Sequence, residues 1–430
     1  MRRMSPGFET TQIHAATEPD GPLGARQVPI YPGNAFLLGD FERAARLFSL
    51  DEQGPIYTRM GNPTIQALEG RICALEGGSD ALAVASGQAA EMILFLNAAR
   101  AGEHIVASPV LYGGSTNLLR RTLYDTGIDV TTVADPQSPS SWAAAIRPNT
   151  KLLFVETIGN PTNSVYDLSA IAAVAHQHGV LFAVDNTAAT PYLFRPLEVG
   201  ADLVLHSATK FLGGHGTAVA GVIVEGSSFD YASSGRYPRL MELDPGYRIS
   251  FCDRFPSAPF VARARYNLLR DLGPALSPFT AWAALQGIET LSLRMQRHVE
   301  NAVAVACWLD TQRDVEGVGY AGLPSSPYRP MVEKYLPRGA GAVFCFDIAG
   351  GPDRAIRFVQ ALRLFSHAAN IGDIRSLVMH PASTTHSQMD PSERAAAGVT
   401  DTMVRLSIGL ETADDLIADL AQALQASASC

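Results

Sequence analysis

Ser207-Ala208-Thr209-Lys210-Phe211-Leu212-Gly213-Gly214-His215-Gly216 follows a short apolar run, Asp202–Leu205, and sets one lysine among hydroxyls and glycines. The chain has three lysines in all, Lys151, Lys210 and Lys334. A lysine in this setting suits capture of an aldehyde cofactor as a Schiff base. The amine is the nucleophile, and nearby hydroxyls and backbone N–H groups can hold a phosphate. Taken alone, the segment also reads as a surface loop with a solvated lysine. Its flanks decide between the two.

Upstream, short apolar runs recur at Ala81–Ala85, His104–Ala107, Lys151–Val155 and Val180–Val184, and a further one follows at Ala218–Val224. Helical stretches such as Asp167–His178 lie between them. Short buried strands alternating with helices predict an α/β fold with a mostly parallel sheet covered on both faces. A helix is expected over Thr64–Leu75, stopped by Gly77-Gly78. Residues 1–60 read as an extended arm with a short helix near Asp40–Leu50. Residues 279–311 read as one long helix or a broken pair. Val343–Ile348, Asp353–Leu362 and Val404–Ile408 predict a second, smaller α/β domain.

Composition narrows the function. The chain has 430 residues, is 47% hydrophobic and 17% charged, and carries a net charge of −9. A large core is therefore possible, and nucleic acid is not expected as a partner. Five scattered cysteines form no CxxC and fit a reducing cytosol without a metal cage. Met1 to Asp20 carries no apolar signal-peptide core, and no apolar run is long enough to span a bilayer.

In open parallel sheets, ligands sit beyond the carboxyl ends of the strands. Ser86-Gly87-Gln88 stands there and opens a helix, which suits a phosphate. Tyr112 follows the second strand, Asn160 the third, Asp185 ends the fourth, and Ser207, Thr209 and Lys210 follow the fifth. A phosphate cup, an acid and an amine on one rim are the parts pyridoxal phosphate requires, the acid keeping the pyridine nitrogen protonated. Singly, each piece is more often a helix start, a cap or a packed ring. Their placement on successive strand ends changes the balance.

The chain resembles the pyridoxal-phosphate enzymes of cysteine and methionine metabolism, and within them the O-acetylhomoserine sulfhydrylases. The likeness is carried by GFETTQIHA from Gly7, YTRMGNPT from Tyr57, ALEGG from Ala74, VASGQAA from Val84, LYGG from Leu111 and ETIGNP from Glu156. It continues with VDNTAATPYL from Val184, HSATKFLGGHGTA from His206, LSLRMQRHVENA from Leu291, HPASTTHS from His380 and VRLSIGLE from Val404. The resemblance implies a fold-type-I transferase with an arm at 1–63, a cofactor domain at 64–280 and a C-terminal domain at 281–430. It implies Lys210, Tyr112 and Asp185 as catalytic, with Tyr112 stacked on the ring. Ser86, Gly87, Gln88, Ser207 and Thr209 would hold the cofactor, joined by Asn160. Tyr57 and Arg59 would complete the site of a neighbouring subunit, in a homodimer usually paired into a tetramer. Arg405 would bind the substrate α-carboxylate, with Asn160 and Ser376 nearby. The implied reaction is γ-replacement on O-acetyl-L-homoserine, in which acetate leaves and sulfide adds to a vinylic intermediate.

Some positions depart from the family. Pro32-Gly33-Asn34-Ala35 replaces a usual Gln-Thr-Thr-Ser, and Tyr247-Arg248-Ile249 a usual Tyr-His-Gly. Gly61, Thr116 and Ala188 stand where Met, Tyr and Phe are usual. Three large-to-small changes predict a pocket widened for a bulky thiol, a carbon nucleophile or a larger donor, unless repacking fills the space. A γ-lyase is the neighbouring alternative, and a cofactor-binding protein without turnover a more distant one. Gly317-Val318-Gly319-Tyr320-Ala321-Gly322 matches a dinucleotide fingerprint, but the Leu323-Pro324 that follows is unsuited to the required helix. His176 and His178 read as a solvated helix face and not as a metal site.

Overall fold

Residues 80–225 build a seven-stranded sheet from β1 (Asp80–Val84), β2 (His104–Ala107), β3 (Asp129–Thr132), β4 (Thr150–Glu156), β5 (Leu181–Asp185), β6 (Leu203–Ser207) and β7 (Gly221–Glu225). The strand order is β1-β7-β6-β5-β4-β2-β3. β7 alone runs against its neighbours, β1 on one side and β6 on the other. The coordinates are a computed structural model describing residues 6–17, 24–387, 390, 394–395 and 397–428. Parts of the expected arm, at 1–5 and 18–23, and Cys430 lie outside the described residues.

The strands read as continuous apolar runs because both faces are buried. Leu153 and Val155 of β4 enter one core and Leu152 and Phe154 the other. Emptying either face would be costly; truncating a buried phenylalanine such as Phe154 removes about 3–5 kcal/mol. Helix Pro63–Glu76 covers one face and ends at Gly77, whose φ of 76° is the left-handed stop that the sequence predicts. Edge strand β3 escapes sequence reading because its Asp-Val-Thr-Thr is only partly buried. The sixth expected strand begins at Gly221 and not Ala218, since residues 218–220 belong to the loop that returns the chain from β6.

The smaller sheet contains β8 (Val315–Gly319), β9 (Val343–Ile348), β10 (Ser366–His367), β11 (Leu377–Met379) and β12 (Met403–Ser407), ordered β10-β11-β12-β9-β8. The long helical region is a broken pair, Pro278–Ile288 and Leu291–Asp310. Arg294 spans the break, donating to the carbonyls of Phe211, Leu212 and Gly287. Asn163 ties the two sheets. Its amide donates to Ala340 and Val343 carbonyls and its oxygen accepts from Ala321 N–H. Gly317 and Gly319 lie in β8, and the next helix begins only at Arg329.

The fold positions the Lys210 loop through one tight crossing. A Cβ on Gly221 would stand 2.0 Å from the Ser86 carbonyl oxygen and 2.5 Å from its carbon. Backbone cannot yield as a flexible side chain can. Gly221→Ala should therefore lower stability by about 1–3 kcal/mol, read as a lower urea midpoint. An unchanged midpoint would mean that this crossing has slack.

Candidate active site

The carboxyl ends of β4, β5 and β6 and the start of helix Gly87–Ala98 surround one cavity of 480 Å³. Ser86, Gly87, Gln88, Tyr112, Asn160, Asp185, Ser207, Thr209, Lys210 and Arg405 all border it. The first nine come from the large sheet and its loops. Arg405 arrives from β12 of the other sheet.

The phosphate end is built by close approach. Ser86 Oγ accepts from Ala89 N–H and caps the helix, leaving the first-turn N–H groups of Gly87 and Gln88 at a site that favours anions. A Cβ on Gly87 would meet Ser207 Cβ at 2.8 Å and Oγ at 2.9 Å. Only glycine lets the helix start and the serine hydroxyl stand this close. Thr209 Oγ1 accepts from Ala220 N–H (3.0 Å) and donates to Ala220 C=O (3.2 Å), pinning the loop.

Three carboxyls, Glu91, Glu156 and Asp185, border the same cavity. Glu156 accepts N–H bonds from Tyr112 and Asn160, and Glu91 accepts from the Ser115 hydroxyl. Burial first, and the Asp185 charge second, push Glu91 up to about 8. The same two causes raise Glu156 well above the ordinary carboxyl range. Asp185 is raised by burial, against hydrogen bonds from Thr187 and the charge of His206. Lys210 donates to Asn370 Oδ1 at 2.5 Å, and burial followed by the Arg405 charge pulls its amine down to about 8. Arg405 Nη1 donates to Asn160 Oδ1 at 3.4 Å and Nη2 to the Asn370 carbonyl at 3.1 Å. Three enclosed carboxyls thus face two cations. A protonated ring nitrogen at Asp185 and a phosphate at the Gly87 cradle match this donor set. The residues present fit pyridoxal phosphate.

Three expected residues lie elsewhere. Ser376, predicted beside the substrate carboxylate, is fully buried and turned away from the cavity. Its hydroxyl donates to Glu411 and accepts from Gly409 N–H, bracing the end of β12. Tyr57 and Arg59 are exposed and border no part of this chain's cavity; the guanidinium lies 5.2 Å from the tyrosine ring centre. Of the three small residues predicted to widen the pocket, Ala188 alone borders it. Gly61 lines a separate 200 Å³ cavity with Glu69 and Arg265, and Thr116 N–H caps the Tyr112 carbonyl. Arg248 and the segment 32–35 are exposed, and Tyr247 and Ile249 are half-buried against the core. His176 is committed to Asp202 at 3.0 Å. Among the described residues no group of three His, Cys, Asp or Glu could hold a metal.

Sequence reading missed Asn370, Glu91 and Glu156. An asparagine in a loop carries no periodic signal. Glu91 does stand out as the lone charge in the apolar helix GQAAEMILFLNA.

The family described as Cys/Met metabolism PLP-dependent enzyme matches residues 9–425. An O-acetyl-L-homoserine sulfhydrylase of Corynebacterium glutamicum is 49% identical over 419 residues, covering 96% of both chains. O-acetyl-L-homoserine sulfhydrylase 1 of Thermus thermophilus is 48% identical, covering 97% of this chain and 99% of its own. The fold superimposes with a TM-score of 0.95 on a Campylobacter jejuni crystal structure described as an O-acetylhomoserine (thiol)-lyase and holding N'-pyridoxyl-lysine-5'-monophosphate. That protein is 37% identical, with 97% of this chain and 99% of that one covered.

The lowered Lys210 amine is open to test, because only Lys151 and Lys334 compete for a lysine signal. Reductive 13C-methylation of the cofactor-free protein should give one dimethyl-lysine resonance titrating near pH 8, told from the α-amine, which titrates in the same range, by its loss in Lys210→Ala. Arg405→Gln should move that midpoint upward, since the guanidinium charge helps to lower it. Three resonances titrating together in the ordinary lysine range would contradict the description.

Proposed function

Because the chain belongs to the Cys/Met metabolism PLP-dependent enzyme family, we propose that it carries out γ-replacement on O-acetyl-L-homoserine. The bond from Cγ to the ester oxygen breaks, acetate leaves with that bond's electrons, and sulfide forms the new Cγ–S bond of homocysteine. The observation that supports this most strongly is the convergence of Lys210 and Arg405 on Asn370, one on its side-chain oxygen and the other on its carbonyl. An amine and a carboxylate receptor held on one residue place a proton acceptor beside a carboxylate site, as an α-amino acid substrate requires.

Pyridoxal phosphate, when bound, supplies the electron sink that makes loss of the α-proton possible. The protein's part follows from its own groups. Gly87, Gln88, Ser207 and Thr209 hold the phosphate, with Ser86 capping the helix beneath. Asp185 would be the partner that favours a proton on the ring nitrogen of the bound cofactor, and Tyr112, at the cavity wall, would pack against its ring. Asn160 and Arg405 hold the substrate carboxylate, the planar guanidinium matching its two oxygens. Lys210 removes the α-proton. A pKa of about 8 leaves a useful fraction of its amine neutral in the assay range and keeps it basic enough to act. Asn370 takes the free amine and keeps it beside the α-carbon. Raising the pH through about 8 should therefore increase the rate of this step to a plateau, as the amine becomes neutral.

The same reading takes 1–63 as an arm, 64–280 as the cofactor domain and 281–430 as the C-terminal domain. It takes the active unit as a homodimer, paired into a tetramer in a reducing cytosol. Exposure of Tyr57 and Arg59 supports their service to a neighbouring site. The four described cysteines are unpaired, and no described helix is long and apolar enough to cross a membrane. A second reading, a nucleophile bulkier than sulfide, draws on Ala188 at the cavity wall.

Product mass spectrometry separates these outcomes. With O-acetyl-L-homoserine and sulfide, the loaded enzyme should release acetate and homocysteine in equal amounts, and Lys210→Ala should release neither. Acetate with no homocysteine would favour the bulkier nucleophile, and a keto acid would point to elimination. Subunit exchange tests the shared site: Lys210→Ala and Arg59→Ala, each inactive alone, should recover activity at about one quarter of sites when mixed. No recovery would remove Arg59 from the neighbour's site.

A further inference from the structure

Arg405 is incompletely held. Nη1 and Nη2 have acceptors in Asn160 and Asn370, but its Nε–H is buried without one among the described residues. His386 has the complementary deficit. It is 3% exposed, its Nδ1 pairs with the Thr385 hydroxyl at 2.9 Å, and its buried Nε2 has no partner among the described residues. A buried donor and a buried ring nitrogen left open are each unfavourable, and each needs what the other has.

The chain path brings the two together. Met379 of β11 stands opposite Arg405 of β12. The chain then enters the tight turn Pro381–Ser383, and His386 N–H donates back to the Pro381 carbonyl at 3.0 Å. Thr385 borders the same cavity as Arg405. A Cβ on Gly113 would fall 2.9 Å from the Thr385 carbonyl oxygen and 4.0 Å from His386 Nε2, so the ring lies against the turn that carries Tyr112. Burial first, then the Arg405 charge, pulls His386 down to about 4, which leaves a neutral ring in the assay range. In the tautomer that carries its proton on Nδ1 and donates it to Thr385, Nε2 keeps its lone pair for the Arg405 donor.

We propose that His386 is a positioning residue for amino-acid recognition. Its Nε2 accepts the Arg405 Nε–H when the guanidinium engages a substrate, which turns the Nη1–Nη2 edge toward the α-carboxylate. The proposal rests on the reading of Arg405 as the carboxylate receptor and adds a residue behind it. His386 touches neither substrate nor cofactor. Its effect is confined to ligands that carry the carboxylate.

The test uses the loaded enzyme and two ligands without a leaving group, L-norvaline and its decarboxylated counterpart butylamine. Binding is followed by the cofactor's absorbance change, and cofactor retention by equilibrium dialysis. His386→Ala should weaken norvaline about tenfold, as loss of one hydrogen bond to a charged group predicts, while butylamine and cofactor affinities hold. For O-acetyl-L-homoserine, KM should rise with kcat little changed. His386→Gln, whose amide oxygen can accept the same N–H, should recover most of the loss. Unchanged norvaline binding in His386→Ala would overturn the proposal. Equal weakening of norvaline and butylamine, or no recovery in a folded His386→Gln, would overturn it too, by showing that the ring only fills space. If wild-type enzyme preferred norvaline to butylamine by nothing, the premise about Arg405 would fail first, and that result is distinct from a failure at His386.

Discussion

The structure depends on a crossing where two backbones nearly touch. β7 threads between β1 and β6 in the opposite sense, and Gly221 passes beneath the Ser86 carbonyl with no room for a Cβ. The next residue after Ser86, Gly87, lies against Ser207 under the same restriction. These contacts bring the start of helix Gly87–Ala98 and the Lys210 loop to one rim. The loop must leave β6, cover the cavity and return as β7, so the lysine is carried over the strand ends by the connection itself. Because β7 lies between them, the ends of β1 and β6 stand two strand spacings apart, roughly 9.6 Å, and the two loops close that gap over the end of β7.

Electrostatics makes the same place reactive. Asp185, Glu156 and Glu91 are enclosed with little water, and each is less acidic than an exposed carboxyl. Burial is the leading cause in each, and the Asp185 charge adds a smaller push on Glu156 and Glu91. Lys210 responds in the opposite sense, because removing water disfavours its ammonium form. One physical cause, exclusion of solvent by the surrounding strands and loops, therefore makes the acids hold protons more tightly and the amine release one more readily. A bound cation beside Asp185 relieves that arrangement. An empty apolar pocket of the same size would have no such demand.

The second sheet supplies what the first lacks. Arg294 fastens the broken helix pair to the Phe211–Leu212 carbonyls, and Asn163 fastens the β9 region to the loop after β4. With these anchors set, the loop at Asn370 packs onto Lys210–Phe211 so closely that Gly372 could not carry a side chain. Arg405 and Asn370 thereby reach a cavity whose floor belongs to the other sheet. Departures from the family read differently once placed. Ala188 borders the cavity, whereas Gly61 and Thr116 are spent on a side cavity and a backbone cap.

The sequence by itself determined the alternation of buried strands and helices, the stop at Gly77, and the nine large-sheet residues around the cavity. Each is a local property: apolar runs of strand length, a glycine where φ must be positive, polar side chains just past a strand end. Arg405 was legible through resemblance, its planar fork suiting a carboxylate. The β3 edge was not legible, because a half-exposed Asp-Val-Thr-Thr has no apolar period. Ser376 was read as a substrate neighbour, yet Glu411 and Gly409 claim its hydroxyl, and only the packing of β12 reveals that competition. Asn370, Glu91, Glu156 and His386 acquire their meaning from neighbours up to hundreds of positions away in the chain. Tertiary structure alone decided these, because hydrogen-bond partners, enclosure from water and the resulting proton affinities are properties of the space between segments and not of any segment by itself.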